Sequence, residues 1–178
     1  LLPDAIIRLG IKRLCAQRLA EATSSNEAEM EKEHAAWIDV LKVSPIALVP
    51  EKANEQHYEV PPRLFELVLG NKLKYSSGLW PEGVSTLDQS EASMLKLTTE
   101  RAGLVDGQAI LELGCGWGSL TLYMAEHFPK SKITAVSNSN DQRQFIEARC
   151  DELNLKNVEI ITADMNDFET TKLFDRVV

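Results

Sequence analysis

The sequence predicts an α/β protein whose parallel sheet follows a helical N-terminal extension. Three observations carry this. Short apolar runs at 109–113, 133–136, 158–161 and 174–178 alternate with segments of helical spacing. The first run leads into glycines at alternate positions, Gly114, Gly116 and Gly118. The first fifty residues show helical rather than strand character. Strands alternating with helices imply a parallel sheet with helices on both faces.

The elements can be justified in order. Ile6, Ile7, Leu9, Ile11, Leu14 and Leu19 give a rough apolar face, with Arg8, Lys12, Arg13 and Arg18 elsewhere. A basic amphipathic segment at 1–20 suits one helix of a small bundle, the favoured reading, while peripheral contact with an anionic membrane stays open. From Asn26 to Val43, Met30, Trp37, Ile38 and Leu41 are spaced for one helical face, and Pro45 and Pro50 mark a boundary. These residues form an extension over 1–53. A connector at 54–87 holds Gln56-His57-Tyr58-Glu59-Val60, a short helix at 64–69, and Leu73-Lys74-Tyr75-Ser76-Ser77-Gly78-Leu79-Trp80. Such loops cover ligand sites; the plainer alternative is a surface loop pinned to the core by Tyr75 and Trp80.

Residues 88–178 are expected to form the first half of the sheet domain. Thr86 with Gln89 reads as a capping box opening a helix to about 102, with Met94, Leu95 and Leu97 inward. The helix after the glycines is expected to bury Trp117, Leu120, Met124 and Phe128. Ser139 with Gln142 reads as another capping box, opening a helix with Phe145, Ile146, Cys150 and Leu153 on its core side.

Bulk properties bound the function. The chain has 178 residues, 44% hydrophobic, with formal charge −8. That suffices for one domain with a core plus a smaller appendage, and the acidic balance argues against a nucleic-acid partner. Cys15, Cys115 and Cys150 are odd in number and far apart, which predicts neither disulfides nor a metal site and makes the cytoplasm the expected compartment. The chain starts at Leu1 rather than Met and stops in an apolar run, so a fragment of a longer protein is expected, truncated at strand four.

The glycine loop points to a cofactor. Dinucleotide enzymes use Gly-x-Gly-x-x-Gly, with phosphates on the helix N-terminus. Here the third glycine comes two positions after the second, and Glu112 precedes the first. A carboxylate there would repel a pyrophosphate but suits a cofactor bearing an ammonium. Glu-x-Gly-x-Gly-x-Gly after a strand resembles motif I of the S-adenosylmethionine (SAM) methyltransferases. Ligands of open α/β sheets bind beyond the strands' carboxyl ends. Glu112, Gly114 and Gly116 would then face the amino-acid part of SAM. Ser137-Asn138-Ser139 would meet the ribose, with no carboxylate before Asp141 but an Asn138 amide that both donates and accepts. Asp164 could accept from the adenine amino group while Met165 packs on the ring. Each has a plainer role: Gln142 as a cap, Asp164 as a loop turn, Met165 as core.

Tyr75-Ser76-Ser77, Leu111-Glu112-Leu113-Gly114-Cys115-Gly116-Trp117-Gly118 and Ala135-Val136-Ser137-Asn138-Ser139 with Gln142 together resemble the cyclopropane fatty acid synthase superfamily, most closely its coclaurine N-methyltransferase-like branch. The resemblance implies a Rossmann-like class I methyltransferase fold with SAM as cofactor, contacted by Ser76, Gly114, Asn138, Gln142, Asp164 and Met165. Tyr75, Cys115 and Ser137, inside the matching motifs, complete the candidate set. Lipid-cyclopropanating members usually read Tyr-Ser-Cys, so Ser77 favours a small-molecule amine over a lipid as acceptor. A non-catalytic SAM-binding fragment is a third reading. The family's catalytic stretch falls beyond Val178, so no catalytic residue is assigned. A homodimer is left open.

Overall fold

The computed structural model describes residues 2–22, 26–46 and 61–178. The expected boundary at Pro50 and the Gln56–Val60 part of the connector lie outside the described residues. Two compact units emerge, Leu1–Pro45 and Ile46–Val178.

The first unit contains α1 (Asp4–Ala22) and α2 (Glu27–Val43). Asn26 caps α2 by accepting from the Ala28 N–H at 3.1 Å, and Glu27 and Glu29 in the first turn suit the helix dipole. Ile6, Leu9, Leu14 and Trp37 are exposed, so these apolar positions form no buried core of their own. Among the described residues no helix is long and apolar enough to cross a membrane.

The second unit begins with α3 (Pro62–Val68), which has Pro62 at its first position, where a missing N–H costs no helix bond. Next come α4 (Leu87–Arg101), β1 (Ala109–Leu113), α5 (Ser119–His127), β2 (Lys132–Ser137), α6 (Asn140–Glu152), β3 (Val158–Thr162) and β4 (Arg176–Val177). The Thr86–Gln89 capping box forms in both directions.

The sheet is parallel, in the order β3-β2-β1-β4. After β1 the chain steps outward through β2 and β3, then returns to the far side of β1 as β4. The order therefore reverses at β1, and the crevice at the carboxyl ends of β1 and β4 is where open α/β sheets bind ligands. Register pairs Ile110 with Ile133 and Ile133 with Val158, and Ala135 with Ile160, so these side chains share one face. Met124 and Ala125 of α5 pack on Ile110 and Ile133, while Ile146 and Cys150 of α6 pack on Ala135 and Ile160. On the opposite face Leu113 and Val177 remain exposed. α5 and α6 assemble on one side of the sheet, and on the other Leu111, Thr134 and Val136 are buried as well.

Local expectations need correction in four places. Leu153 is exposed, because α6 ends at Glu152 and Leu153 caps it. Leu120 and Phe128 are half-buried rather than buried. The buried stripe of α4 is Ser90, Glu91, Leu95 and Thr99, with Met94 and Leu97 only half-buried, since this helix faces backbone as well as core. β4 is shorter than 174–178, although the Asp175 N–H reaches Ala109 O and the Val178 N–H reaches Leu111 O, both at 2.8 Å.

Candidate cofactor-binding site

The loop after β1 is shaped by its glycines. Gly114 and Gly116 adopt φ of 82° and 54°, a region that side chains resist, and a Cβ on either would point into empty space. The Gly114 and Cys115 N–H groups both donate to Val136 O at 3.0 Å, which ties the loop to β2. Gly118 is different: a Cβ there would lie 2.6 Å from Ile146 Cγ1, so its bareness lets α6 close on the loop. Two glycines border space, and the third serves packing.

Glu112 is 5% exposed and accepts from Thr121 Oγ1 at 2.6 Å. Burial pushes its carboxyl up to about 7, partly offset by the Thr121 bond and the Lys74 ammonium. Cys115 is pushed up to about 12, by burial and then by Glu112, which makes it a poor nucleophile.

A cavity of about 280 Å³ opens in front of this loop. Glu112, Gly114, Cys115 and Gly116 line it together with Tyr75 and Ser76. Six of the expected site residues are therefore brought together. Lys74, on the same side, donates to Ser76 Oγ at 2.7 Å. Burial lowers its pKa, opposed by Glu112 and then Glu91.

An aromatic chain holds the covering loop. The Tyr75 ring meets Phe65 edge-on at 5.4 Å, Phe65 meets Trp117 at 5.3 Å, and Trp117 meets Phe145 edge-on at 5.3 Å. Such pairs contribute about 0.5–1.5 kcal/mol each beyond area burial. Of the two aromatics in the pinning alternative, Tyr75 meets the buried Phe65, while Trp80 is 56% exposed.

The end of β2 departs from the expected capping box. Ser139 Oγ accepts from the Gln142 N–H at 3.4 Å, but the Gln142 side chain does not return the bond. Ser137 Oγ accepts from the Ser139 N–H at 3.1 Å and donates to Gln142 Oε1 at 2.6 Å. Gln142 is thereby drawn inward, 2% exposed, and its Nε2 has no partner. Asn138 is exposed beside it. At the end of β3, Asp164 Oδ1 accepts from the Asn166 N–H at 2.8 Å, which fits the loop-turn role, and Met165 is half-buried. Ser137, Asn138, Gln142, Asp164 and Met165 lie along the same carboxyl edge of the sheet but do not line the cavity.

Sequence reasoning gave no role to Lys74, Thr121 or Phe65. Lys74 had a signal, since it directly precedes Tyr75-Ser76. Thr121 and Phe65 reach the site only through folding.

The residues present fit S-adenosylmethionine. The space before Gly114 and Gly116 admits a ligand close to backbone, and Glu112 offers a carboxylate to an ammonium. Trp117 Nε1, Ser119 Oγ and Gln142 Nε2 are buried without partners, and Trp117 and Ser119 line the cavity. Buried polar atoms are normally hydrogen-bonded, so these suit a polar ligand.

A parallel sheet with a glycine loop at its reversal point and an acidic residue beside it defines a nucleoside-cofactor-binding α/β domain. The chain belongs to the mycolic acid cyclopropane synthetase family, whose model matches residues 49–178. It is 35% identical over 177 residues to (S)-coclaurine N-methyltransferase of Papaver somniferum, covering 99% of this chain and 50% of that protein. The crystal structure of coclaurine N-methyltransferase bound to N-methylheliamine and SAH matches with a TM-score of 0.94 at 36% identity, covering 99% of this chain and 51% of that one. The cyclopropane-fatty-acyl-phospholipid synthase of Escherichia coli (strain K12) is 32% identical over 124 residues, covering 70% of this chain and 31% of that protein. The chain spans about half the length of the curated N-methyltransferases it matches.

Proposed function

We propose that the protein is a SAM-dependent methyltransferase that transfers a methyl group to the nitrogen of a small-molecule amine. The match to coclaurine N-methyltransferase over nearly the whole chain carries this reading. When bound, S-adenosylmethionine supplies an electrophilic methyl group on a sulfonium. Glu112 would hold the ammonium end, and the loop at 114–116 would let the ligand approach the backbone. Gln142 Nε2 is a free donor for the sugar end. The loop bearing Tyr75 and Ser76 would limit water over the cavity, so that binding goes into positioning. The widely spaced cysteines keep a cytoplasmic setting within the proposal.

The test uses full-length protein with trideuteromethyl-SAM, a panel of alkaloid-type amines and a lipid extract. An amine product retaining three deuteriums supports the proposal. A lipid that gains a methylene carrying two deuteriums overturns the acceptor and assigns cyclopropanation instead.

A further inference from the structure

The cavity contains an unexplained cation. Lys74 and Glu112 line the same space, yet each side chain has its hydrogen bond elsewhere: Lys74 to Ser76 Oγ at 2.7 Å, Glu112 to Thr121 Oγ1 at 2.6 Å. The two charges therefore face one cavity without bonding each other. Lys74 is not a free surface lysine. It is half-buried, and its backbone follows a turn fixed to α4 by the Glu91 carboxylate, which accepts from Gly70 N–H and Lys72 N–H at 2.9 and 3.0 Å.

Occupancy of the cavity changes the demand on Lys74. A ligand ammonium at Glu112 neutralises the anion that shares the cavity with the lysine. A sulfonium adds a second cation. An ammonium left facing both would be repelled in a site where water is partly excluded. One group on the cofactor reverses this: the carboxylate on the same carbon as the ammonium, necessarily within a few bonds of it. Trp117 and Ser119 also line the cavity, and their Nε1 and Oγ donors are buried without partners.

We infer that Lys74 and Glu112 together read the zwitterionic head of the cofactor, with Glu112 taking the ammonium and Lys74 the carboxylate. Lys74 is then a specificity-determining residue that favours cofactors with an intact amino-acid head over decarboxylated or nucleoside-only analogues. The Ser76 hydroxyl holds the lysine over the cavity in the meantime. This rests on the SAM reading of the site.

The test is a ligand cycle on full-length protein. Wild type, Lys74→Met and Lys74→Arg are titrated calorimetrically with SAM and with decarboxylated SAM, which retains the sulfonium and ammonium but lacks the carboxylate. Loss of one charge-assisted hydrogen bond predicts that Lys74→Met weakens SAM by about 10- to 100-fold, with decarboxylated SAM changed by less than about threefold. Lys74→Arg is expected to recover most of the SAM affinity. Equal weakening of both ligands, or unchanged SAM affinity in Lys74→Met, overturns the pairing with the carboxylate. If wild type binds neither SAM nor S-adenosylhomocysteine, the cofactor reading itself fails and takes this inference with it.

Discussion

Thr121 Oγ1 donates to Glu112 Oε2 at 2.6 Å, coupling the first turns of α5 to the carboxylate at the end of β1. Burial nevertheless holds Glu112 up to about 7 against an ordinary 4.5. The carboxyl is therefore partly protonated near neutrality, whereas a ligand ammonium requires it ionised. Cofactor affinity should rise with pH up to about 7, with a slope approaching about tenfold per unit well below that value. Calorimetry in two buffers of different ionisation enthalpy, at about pH 6, should detect proton release on binding. Glu112→Gln should weaken binding and flatten the slope. The stability linkage has the opposite sense: Glu112 binds its proton more tightly in the folded state, so its contribution is full below 4.5 and lost as pH rises through about 7.

Thr121→Val tests the same pair from the other side. The hydrogen bond lowers the Glu112 pKa, so its loss should move the midpoint of the binding profile to higher pH. A nearly isosteric change that leaves a buried acceptor unpartnered costs about 1–3 kcal/mol, readable in urea unfolding at fixed pH. An unshifted midpoint would separate Thr121 from the site.

The glycines should divide by mutation. Gly118→Ala forces a Cβ to within 2.6 Å of Ile146 at a φ of 80°, so overpacking and backbone strain add to a stability loss of about 2–4 kcal/mol. Gly114→Val has no steric neighbour and suffers mainly strain, but its side chain enters the cavity. It should fold with modest loss and fail to bind SAM. Thermal unfolding and calorimetry on the two variants give opposite rankings if the assignment holds.

The contrast between Glu112 and Gln142 shows what the sequence could and could not disclose. Glu112 and its glycines are neighbours along the chain at the end of a strand, so a local pattern specified both the fold and the position of the site. Gln142 also sits in a local pattern, a capping box, yet Ser137 from the strand end takes the Ser139 N–H and frees the glutamine for an inward role. Lys74, Phe65 and Thr121 reach the site from three different elements, a convergence no spacing announces.

The covering loop gives the last prediction. Glu91, fully buried on α4, accepts from the Gly70 and Lys72 N–H groups, while Asp88, one turn earlier and exposed, accepts from the Asn71 N–H at 2.6 Å and from Asn71 Nδ2 at 3.0 Å. Three successive backbone N–H groups thus end on two carboxylates, and the chain leaves this anchor to place Lys74, Tyr75 and Ser76 at the cavity. Buried and exposed partners should differ in cost. Glu91→Ala leaves two half-buried donors without their acceptor and should lose about 2–3 kcal/mol, whereas Asp88→Ala, whose donors can turn to water, should lose about 1 kcal/mol. Glu91→Gln is the more telling variant, because it keeps the shape but presents an NH₂ where an acceptor is needed. Hydrogen exchange at Gly70 and Lys72 should accelerate in Glu91→Gln, with weaker SAM binding but no change in exchange within β1 and β2. If exchange at 70–72 is unchanged while β1 loosens, Glu91 serves the core and not the loop.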